Sequence, residues 1–372
     1  MKSDFVSRLH QSPWKIVLTV SGGGSCLFSD LLTVPGASKT LLEGVVPYHQ
    51  AAMRRCLSFE PLQYCSRTTA RQLAMVSFLR AREYVPGDKN LIGIGLTASL
   101  ASDRPKRGDH RFHWGFQTLD RTVAGSCLLE KDRITRMEQE RLVADIVLDE
   151  IGYLTELLPG SSPLEQTIAV APEAWQDVFF GDRTTVCICE NKQQNPKYLF
   201  CGSFNPIHHG HRKIMDFVRE RCHAEVALEL AVCNADKPPM DYIDLLERIS
   251  QIGNCELLWL TRLPTFDRKS AVFPGTTFIV GTDTLRRIAD SAFYGGCSEN
   301  RDRSISTLAE NHCHFLCFSR RNGDTMETLE NLNLPQSLVD LCEFVPPDQF
   351  CEDVSSTELR AEIVDPPIAN RR

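Results

Sequence analysis

Apolar positions along the chain fall into two trains of alternating strand and helix patterns, separated by a weaker stretch. The first train opens with Lys15–Val20, a run of buried-strand character that passes straight into Ser21-Gly22-Gly23-Gly24-Ser25. A short helix is predicted next, stopping near the turn dipeptide Pro35-Gly36, and Leu41–Tyr48 reads as extended. From Arg67 to Tyr84 the residues Ala70, Leu73, Ala74, Val76 and Phe78 keep helical spacing, and Val85-Pro86-Gly87 ends the run. Leu91–Thr97 reads as a central strand, and His110–Thr118 and Arg121–Glu130 as two neighbouring strands with Asp120 in the turn between them. A long helix over Ile134–Leu158 closes the unit. The pattern predicts a layered α/β sandwich, with a mixed sheet if the 110–130 pair is a hairpin.

From Pro159 to Pro196 the periodicity weakens between PGSSP and NKQQNP, which reads as a linker with some attached structure. A second train starts at Tyr198–Cys201 and continues through strand candidates Val226–Val232, Glu256–Leu260, Thr277–Gly281, Cys313–Ser319 and Cys342–Val345. Helical stretches lie between most of them, the βαβ rhythm of a doubly wound parallel sheet. The expected organisation is thus a first domain over residues 1–158, a linker over 159–196 and a second domain over 197–372. No internal repeat is present.

Composition changes this picture little. With 41 Lys and Arg against 48 Asp and Glu, the net charge of −7 supplies no global basic field for nucleic acid or an acidic membrane. The N-terminus has no apolar signal core and no run of ~18 apolar residues occurs, so the expectation is a cytoplasmic protein, with the nucleus left open. Fifteen cysteines are scattered, and the close pairs Cys187/Cys189 and Cys313/Cys317 lack C-x-x-C spacing. Reduced thiols are expected, and no metal site built from protein groups alone.

The chemistry concentrates in Gly202-Ser203-Phe204-Asn205-Pro206-Ile207-His208-His209-Gly210-His211, between the 198–201 strand and a helix beginning near His211. Gly202 and Ser203 let the chain turn at the carboxyl end of a strand, where open α/β sheets bind ligands. Gly210 permits close approach of a phosphate to the backbone, the helix start favours an anion, and His208 and His211 can both donate to phosphate oxygens. The string resembles the H-x-G-H motif of the nucleotidylyltransferase superfamily, in its nicotinamide mononucleotide adenylyltransferase-like branch. Val354-Ser355-Ser356-Thr357-Glu358-Leu359-Arg360 reads on its own as a helix cap; paired with the histidines it resembles the superfamily's I-S-S-T-x-x-R signature. There the hydroxyls of Ser355, Ser356 and Thr357 and the Arg360 guanidinium would hold triphosphate oxygens. Class I aminoacyl-tRNA synthetases share the histidine motif but add a K-M-S-K-S loop, which is absent.

The resemblance carries further expectations. Gly281-Thr282-Asp283 matches the family's G-x-D element, placing Gly281 and Asp283 near the ATP ribose or metal, with Asp283 as a plain helix N-cap the alternative. Lys237, in a K-P loop with Arg248 on the helix after it, would meet a substrate phosphate, with a solvated loop lysine the alternative, and Arg320 or Arg321 occupies the phosphate-arginine region. Where bacterial members carry tryptophans against the nicotinamide ring, this chain has Phe293 and Tyr294, a substrate platform or part of the core. ATP with Mg²⁺ would be the co-substrate. His208, His211 and Arg360 would be catalytic, with Gly202, Ser203, Phe204 and Gly210 cradling the nucleotide. Small-molecule nucleotides are the expected partners, with a homo-oligomer in view and neither nucleic acid nor a membrane.

Residues 15–158 resemble the C-terminal domain of the CinA family, which includes nicotinamide-nucleotide amidases. The matching segments are Thr19–Ser25, Val34-Pro35-Gly36-Ala37-Ser38, Gly44-Val45-Val46-Pro47-Tyr48, Gly93–Thr97, and Asp132-Arg133 with Arg136. Candidate site residues are therefore Ser21, Tyr48, Thr97, Arg133 and Arg136. Met53 stands where the family has lysine, Gly23 where it has threonine and Val20 where it has an acid. These replacements favour a ligand-binding or scaffolding domain over an active amidase; the 22–24 turn either binds phosphate through its amides or only permits tight strand-to-helix packing. Three functions stay open for the whole chain: a mononucleotide adenylyltransferase, a cytidylyl- or adenylyltransferase with another phosphorylated acceptor, and a nucleotide-binding regulator without turnover.

Overall fold

The computed structural model describes residues 2–103, 108–131, 134–189, 195–233, 240–253, 257–319, 321–322, 325–327 and 332–350. In chain order the first elements are α1 (Lys2–Gln11), β1 (Lys15–Ser21), α2 (Cys26–Leu32), β2 (Leu41–Val45), α3 (Gln50–Leu57) and α4 (Arg67–Tyr84). There follow β3 (Leu91–Ser99), β4 (His110–Gln117), β5 (Arg121–Leu129), α5 (Arg136–Leu154) and β6 (Gln166–Val170). The six strands form one sheet in the order β2-β1-β3-β4-β5-β6. Pairing is parallel across β2, β1 and β3 and antiparallel from β3 outward, so the 110–130 hairpin makes the sheet mixed.

Period-2 alternation gives this sheet two unlike faces. One presents Ile16, Leu18, Val20, Ile92, Ile94, Leu96, Phe112, Trp114 and Phe116, which pack with Val143, Val147 and Ile151 of α5 as the core. The other carries small and polar residues and receives α4. Gly93 and Gly95 make that approach possible: a Cβ on either would run into the carbonyl oxygens of Ala74 and Ala70. Ser66 caps α4 by accepting from the Thr69 N–H, 3.1 Å away.

The remaining elements are α6 (Glu173–Phe180), β7 (Thr185–Cys187), β8 (Tyr198–Cys201), α7 (His209–Cys222), β9 (Val226–Ala231), α8 (Tyr242–Ile252), β10 (Leu257–Thr261) and α9 (Phe266–Val272). Then come β11 (Thr277–Gly281), α10 (Thr282–Ala289), α11 (Ser298–Glu310), β12 (His314–Phe318), the two-residue strands β13 (Arg321–Asn322) and β14 (Thr325–Met326), α12 (Gln336–Val339) and β15 (Cys342–Val345). The second sheet runs β15-β12-β11-β8-β9-β10-β7, all parallel except β7. Numbered from β8, its parallel strands stand in the order 3-2-1-4-5-6 of a doubly wound dinucleotide fold. Phe278, Val280, Phe315, Leu285 and Ile305 fill its core.

The 159–196 stretch supplies more than a tether. Gln166–Val170 adds the outer strand to the first sheet and Thr185–Cys187 the outer strand to the second. Two compact units result: one of the described residues up to Gln176 with those of Asp236–Leu246, the other of Asp177–Ala235 and from Glu247 onward. The 240–246 segment, expected in the second domain, is thus part of the first unit. Its anchor is an ion pair between Arg71 Nε and Asp241 Oδ2 at 2.8 Å, with side chains 9% and 4% exposed. Tyr242 is fully buried; its backbone N–H donates to Thr122 Oγ1 at 3.1 Å and its hydroxyl to the Leu119 carbonyl at 2.8 Å.

Removing one partner of a buried ion pair leaves the other charge uncompensated, at a cost of about 3–5 kcal/mol. Asp241→Asn keeps the shape and leaves Arg71 the more distant Asp244 carboxylate, 4.0 Å from its Nη2, so urea denaturation of the full chain should show the first unit destabilised by up to about 3 kcal/mol; an unchanged midpoint would mean that the pair holds nothing.

Candidate functional site

In a doubly wound sheet, ligands bind outside the carboxyl ends of the two strands at which the strand order reverses. Here those strands are β8 and β11, neighbours that pair from Thr277↔Tyr198 to Ile279↔Phe200. The loop after β8 is the Gly202–His211 string, and the turn after β11 is Gly281-Thr282-Asp283.

The loop is held from three sides. Gly202 N–H donates to the Glu229 carbonyl of β9 at 3.1 Å, and Arg248 of α8 donates Nη1–H to the Ser203 carbonyl at 3.0 Å. Phe204 adopts φ +41°, a left-handed conformation that costs a bulky residue on the order of 1–3 kcal/mol. Its ring is 1% exposed and edge-on to Phe200 and His211, centroids 5.4 and 5.1 Å away, and that burial offsets the strain. Phe204, expected to cradle the nucleotide, packs its ring beneath the loop and so shapes the loop's path.

His208 is the N-cap of α7, which begins at His209. His211 Nδ1 accepts the His208 backbone N–H at 3.2 Å, and the two imidazoles lie 3.7 Å apart between centroids. An Nδ1 that accepts a hydrogen bond carries no proton, so the neutral His211 ring holds its proton on Nε2 as a donor. Both rings are half-buried, whereas His209 between them is exposed and Gly210 is buried. The first turn of α7 contains no acidic residue, so the positive end of a fourteen-residue helix meets the crevice without a neutralising carboxylate of its own.

Across the crevice, Gly281 is the N-cap of α10 and Asp283 lies exposed in its first turn, so Asp283 is not the cap. Thr282 between them is fully buried. Phe293 and Tyr294 sit in the 3-10 turn that follows α10, Phe293 47% exposed under the Arg287 guanidinium at 5.0 Å and Tyr294 half-buried, its hydroxyl pushed up by burial. Neither belongs to the second unit's apolar core. Lys237, Arg320 and the segment with Ser355, Ser356, Thr357 and Arg360 lie outside the described residues.

Beneath the loop is a cluster the sequence did not announce. Glu229 is 1% exposed; its carboxylate accepts from Lys269 Nζ at 2.6 Å and from Thr261 Oγ1, joining β9, β10 and α9. Cys201, beside Glu229 in register, has its thiol pushed well up by burial, which makes it inert at neutral pH.

In the first unit the structure brings Ser21, Thr97 and Arg136 into one neighbourhood but gives each of them an internal partner. Ser21 and Thr97 are register partners on β1 and β3. Ser21 Oγ donates to the Pro47 carbonyl at 3.1 Å, while the Tyr48 ring is 68% exposed. Thr97 is buried and donates to the Ser66 carbonyl at 3.2 Å; Arg133 lies outside the described residues. Phosphate capture by the glycine turn is contradicted by Glu140. Its Oε2 accepts the Gly24 N–H at 2.6 Å, the Ser25 N–H at 2.9 Å and Ser25 Oγ at 3.1 Å. Arg136 donates to Glu140 Oε1 at 2.7 Å and to the carbonyls of Gly22 and Ala101, so it neutralises an internal carboxylate. Burial opposes the Glu140 charge, but Arg136 and the two amides outweigh it and hold the carboxyl below its usual range. A helix residue 115 positions from Ser25 fills the anion site, a contact that no local motif encodes.

Comparison with known proteins follows this division. Residues 199–362 match the model of the cytidylyltransferase-like family, so the chain carries a nucleotidyltransferase-type domain in its C-terminal part. For the N-terminal part, the similar solved structures are CinA superfamily proteins. One, a competence-damaged protein (CinA) superfamily protein from Escherichia coli, is 17% identical, covering 42% of this chain and 88% of its own at a TM-score of 0.34. Another, competence/damage inducible protein CihA from Agrobacterium tumefaciens, is 16% identical over 40% and 93%, at 0.33. No curated protein sequence matches the chain. Among the described residues, no helix is long and apolar enough to cross a membrane.

Two buried groups of the first unit titrate in opposite senses. Burial, reinforced by Arg111 and Arg67, pushes the His113 imidazole down to about 4, whereas burial and Asp149 push Glu150 up to about 7. As pH falls below His113's ordinary 6.5, the unfolded chain takes up a proton that the folded chain refuses, and up to about 3 kcal/mol of stability is lost by pH 4. Folded Glu150 takes up its proton earlier than the unfolded chain does, a gain over much of the same interval. His113→Gln should therefore lose less stability than the native chain between about pH 7 and about pH 5 in urea titrations; identical slopes would rule out a buried neutral His113.

Proposed function

We propose that the second unit is an ATP-dependent nucleotidylyltransferase, with NMN or nicotinate mononucleotide as the acceptor, yielding the dinucleotide and pyrophosphate. One observation carries the reading: the two imidazoles of the Gly202–His211 loop lie together at the N-terminus of α7, at the switch point of a 3-2-1-4-5-6 sheet. The match to the cytidylyltransferase-like model supports it and extends to residue 362, taking in Ser355, Ser356, Thr357 and Arg360.

The reaction needs no covalent enzyme intermediate and no general base, because the acceptor's 5′-phosphate is already ionised at neutral pH. An acceptor phosphate oxygen attacks the α-phosphorus, the bond to the bridging oxygen breaks, and that oxygen leaves as part of pyrophosphate. The protein's share is positioning and charge neutralisation. His211 donates from Nε2 to the phosphate that gains charge, the positive end of α7 acts in the same sense, and His208 is stacked to contribute a second donor. Gly281 and Asp283, across the crevice, would meet the nucleoside, and Lys237 and Arg360 the phosphates. Mg²⁺ enters as part of the ATP substrate and offsets triphosphate charge. Among the described residues no three His, Cys, Asp or Glu side chains gather into a cage for a metal.

A second reading keeps the chemistry and changes the substrates: the cytidylyltransferase-like match favours CTP or a different phosphorylated acceptor. Pyrophosphate release by the full chain, with Mg²⁺ and ATP or CTP against NMN, nicotinate mononucleotide and phosphorylated alcohols, separates the two. His211→Ala should lower turnover by roughly 10²–10³, the usual cost of one preorganised donor. Nucleotide binding without release from any pair would overturn catalysis and leave a nucleotide-binding regulator.

A further inference from the structure

Four polar side chains cross the first sheet in one row. Ser21 pairs with Thr97, Thr97 with His113 and His113 with Ser126, and laterally paired residues share a face. This is the α4 face. Gly95 lies beneath Ala70, Gly93 beneath Ala74 and Phe78, and Thr97 donates to the carbonyl of Ser66, the α4 cap. The eighteen-residue helix therefore runs against β1 and β3, and its positive N-terminal end stands over the row at their carboxyl ends.

Two groups there are poised for something the chain does not itself provide. Arg67, the first residue of α4, donates Nε–H to Ser126 Oγ at 3.3 Å and Nη1–H to Thr167 Oγ1 at 3.2 Å. It is half-buried, and among the described residues no carboxylate pairs with it. His113 is 3% exposed; its Nδ1 lies 2.7 Å from Ser126 Oγ, and its buried Nε2 has no hydrogen-bond partner. Because Arg67 can only donate, Ser126 Oγ accepts from it and passes its own O–H to His113 Nδ1, leaving the imidazole proton on Nε2. A buried N–H without an acceptor beside a cation without an anion, under a helix N-terminus, selects for negatively charged oxygen. The usual alternative in this unit, the glycine turn, is closed by Glu140, and Arg136 is neutralised there.

We propose that the first unit binds a small molecule through an oxyanion, carboxylate or phosphate, at the N-terminal end of α4, with Arg67 as its charge partner and His113 Nε2–H as its buried donor. The site is distinct from the crevice of the second unit and stands whether or not that unit turns over nucleotides.

The test uses the full chain labelled with ¹⁵N-histidine, reading the His113 imidazole nitrogens while inorganic phosphate or acetate is added at constant ionic strength against chloride. His113→Phe assigns the resonance; should that variant fail to fold, the response of Arg67→Met decides alone. The expected result is a saturable shift of His113 Nε2 with at least one of the two oxyanions, at millimolar concentration, and their relative midpoints tell carboxylate from phosphate. Arg67→Met should weaken it about tenfold or more, as loss of a charge-assisted hydrogen bond does, and Arg67→Lys should restore part of the loss. No saturable shift with either anion, an equal shift with chloride, or an unchanged midpoint in Arg67→Met would each overturn the proposal.

Discussion

β8 and β11 lie side by side and parallel, yet the chain leaves them for opposite edges of the sheet, β9 and β10 on one side and β12 and β15 on the other. Right-handed crossovers then carry the following helices to opposite faces, and a crevice opens outside the two strand ends. Among the described residues, the histidine loop and the Gly281–Asp283 turn are arranged about that constraint. Cys201 delivers the histidine loop to one lip and Gly281 the α10 turn to the other. The buried Glu229–Lys269 pair, with Thr261, locks the carboxyl ends of β9 and β10 to α9 directly behind the loop. A buried ion pair adds little net stability; its effect is geometric, because it fixes the footing of the loop that carries the two imidazoles.

The two units use the same local device, a strand, a glycine-bearing turn and a helix, with opposite results. In the second unit the acceptor at the helix start is the neutral His211 Nδ1, so hydrogen bonding is satisfied while the positive potential survives. In the first unit the acceptor at the Gly24 and Ser25 amides is the Glu140 carboxylate, which satisfies the amides and cancels the potential together. A neutral acceptor leaves an anion site open; a charged one closes it.

Much of this was legible in the sequence because it is encoded locally. The helical spacing over Arg67–Tyr84 gives α4 with the same ends, and the apolar runs give β1, β3, β4, β5, β8 and β11 to within two residues. The histidine loop was legible for the same reason, its ten residues being contiguous. The edge strands β6 and β7 were not, since they are five and three residues long and owe their conformation to the neighbour they pair with. Nor were the partnerships that decide what each turn does. Glu140 reads as one acid among several on a helix, and His113 as one residue of a strand, until register brings Ser126 and Thr97 to its flanks. Phe204 marks a different limit: nothing in the contiguous motif announces its positive φ or the burial of its ring.

Charge pairing separates scaffold from site more sharply than residue type does. Arg71 with Asp241, Arg136 with Glu140 and Lys269 with Glu229 are cations spent on internal carboxylates; the first and last pairs join elements distant in the chain, while Arg136 and Glu140 lie one turn apart on α5. A net charge of −7 gives no hint of this, because an acidic total is compatible with local positive potential wherever a helix start or an arginine escapes pairing. The start of α7 has no acid in its first turn, and neither does the start of α4, where Arg67 adds a cation. Both helix starts stand at the carboxyl ends of parallel strands, the one place in an open α/β sheet where the backbone concentrates donors. An anionic ligand bound at either start gains from the dipole without displacing a carboxylate, whereas one arriving at the 22–25 turn has first to expel Glu140 and unpair Arg136. The same fold element is thus receptive or sealed according to a single side chain contributed from far along the chain.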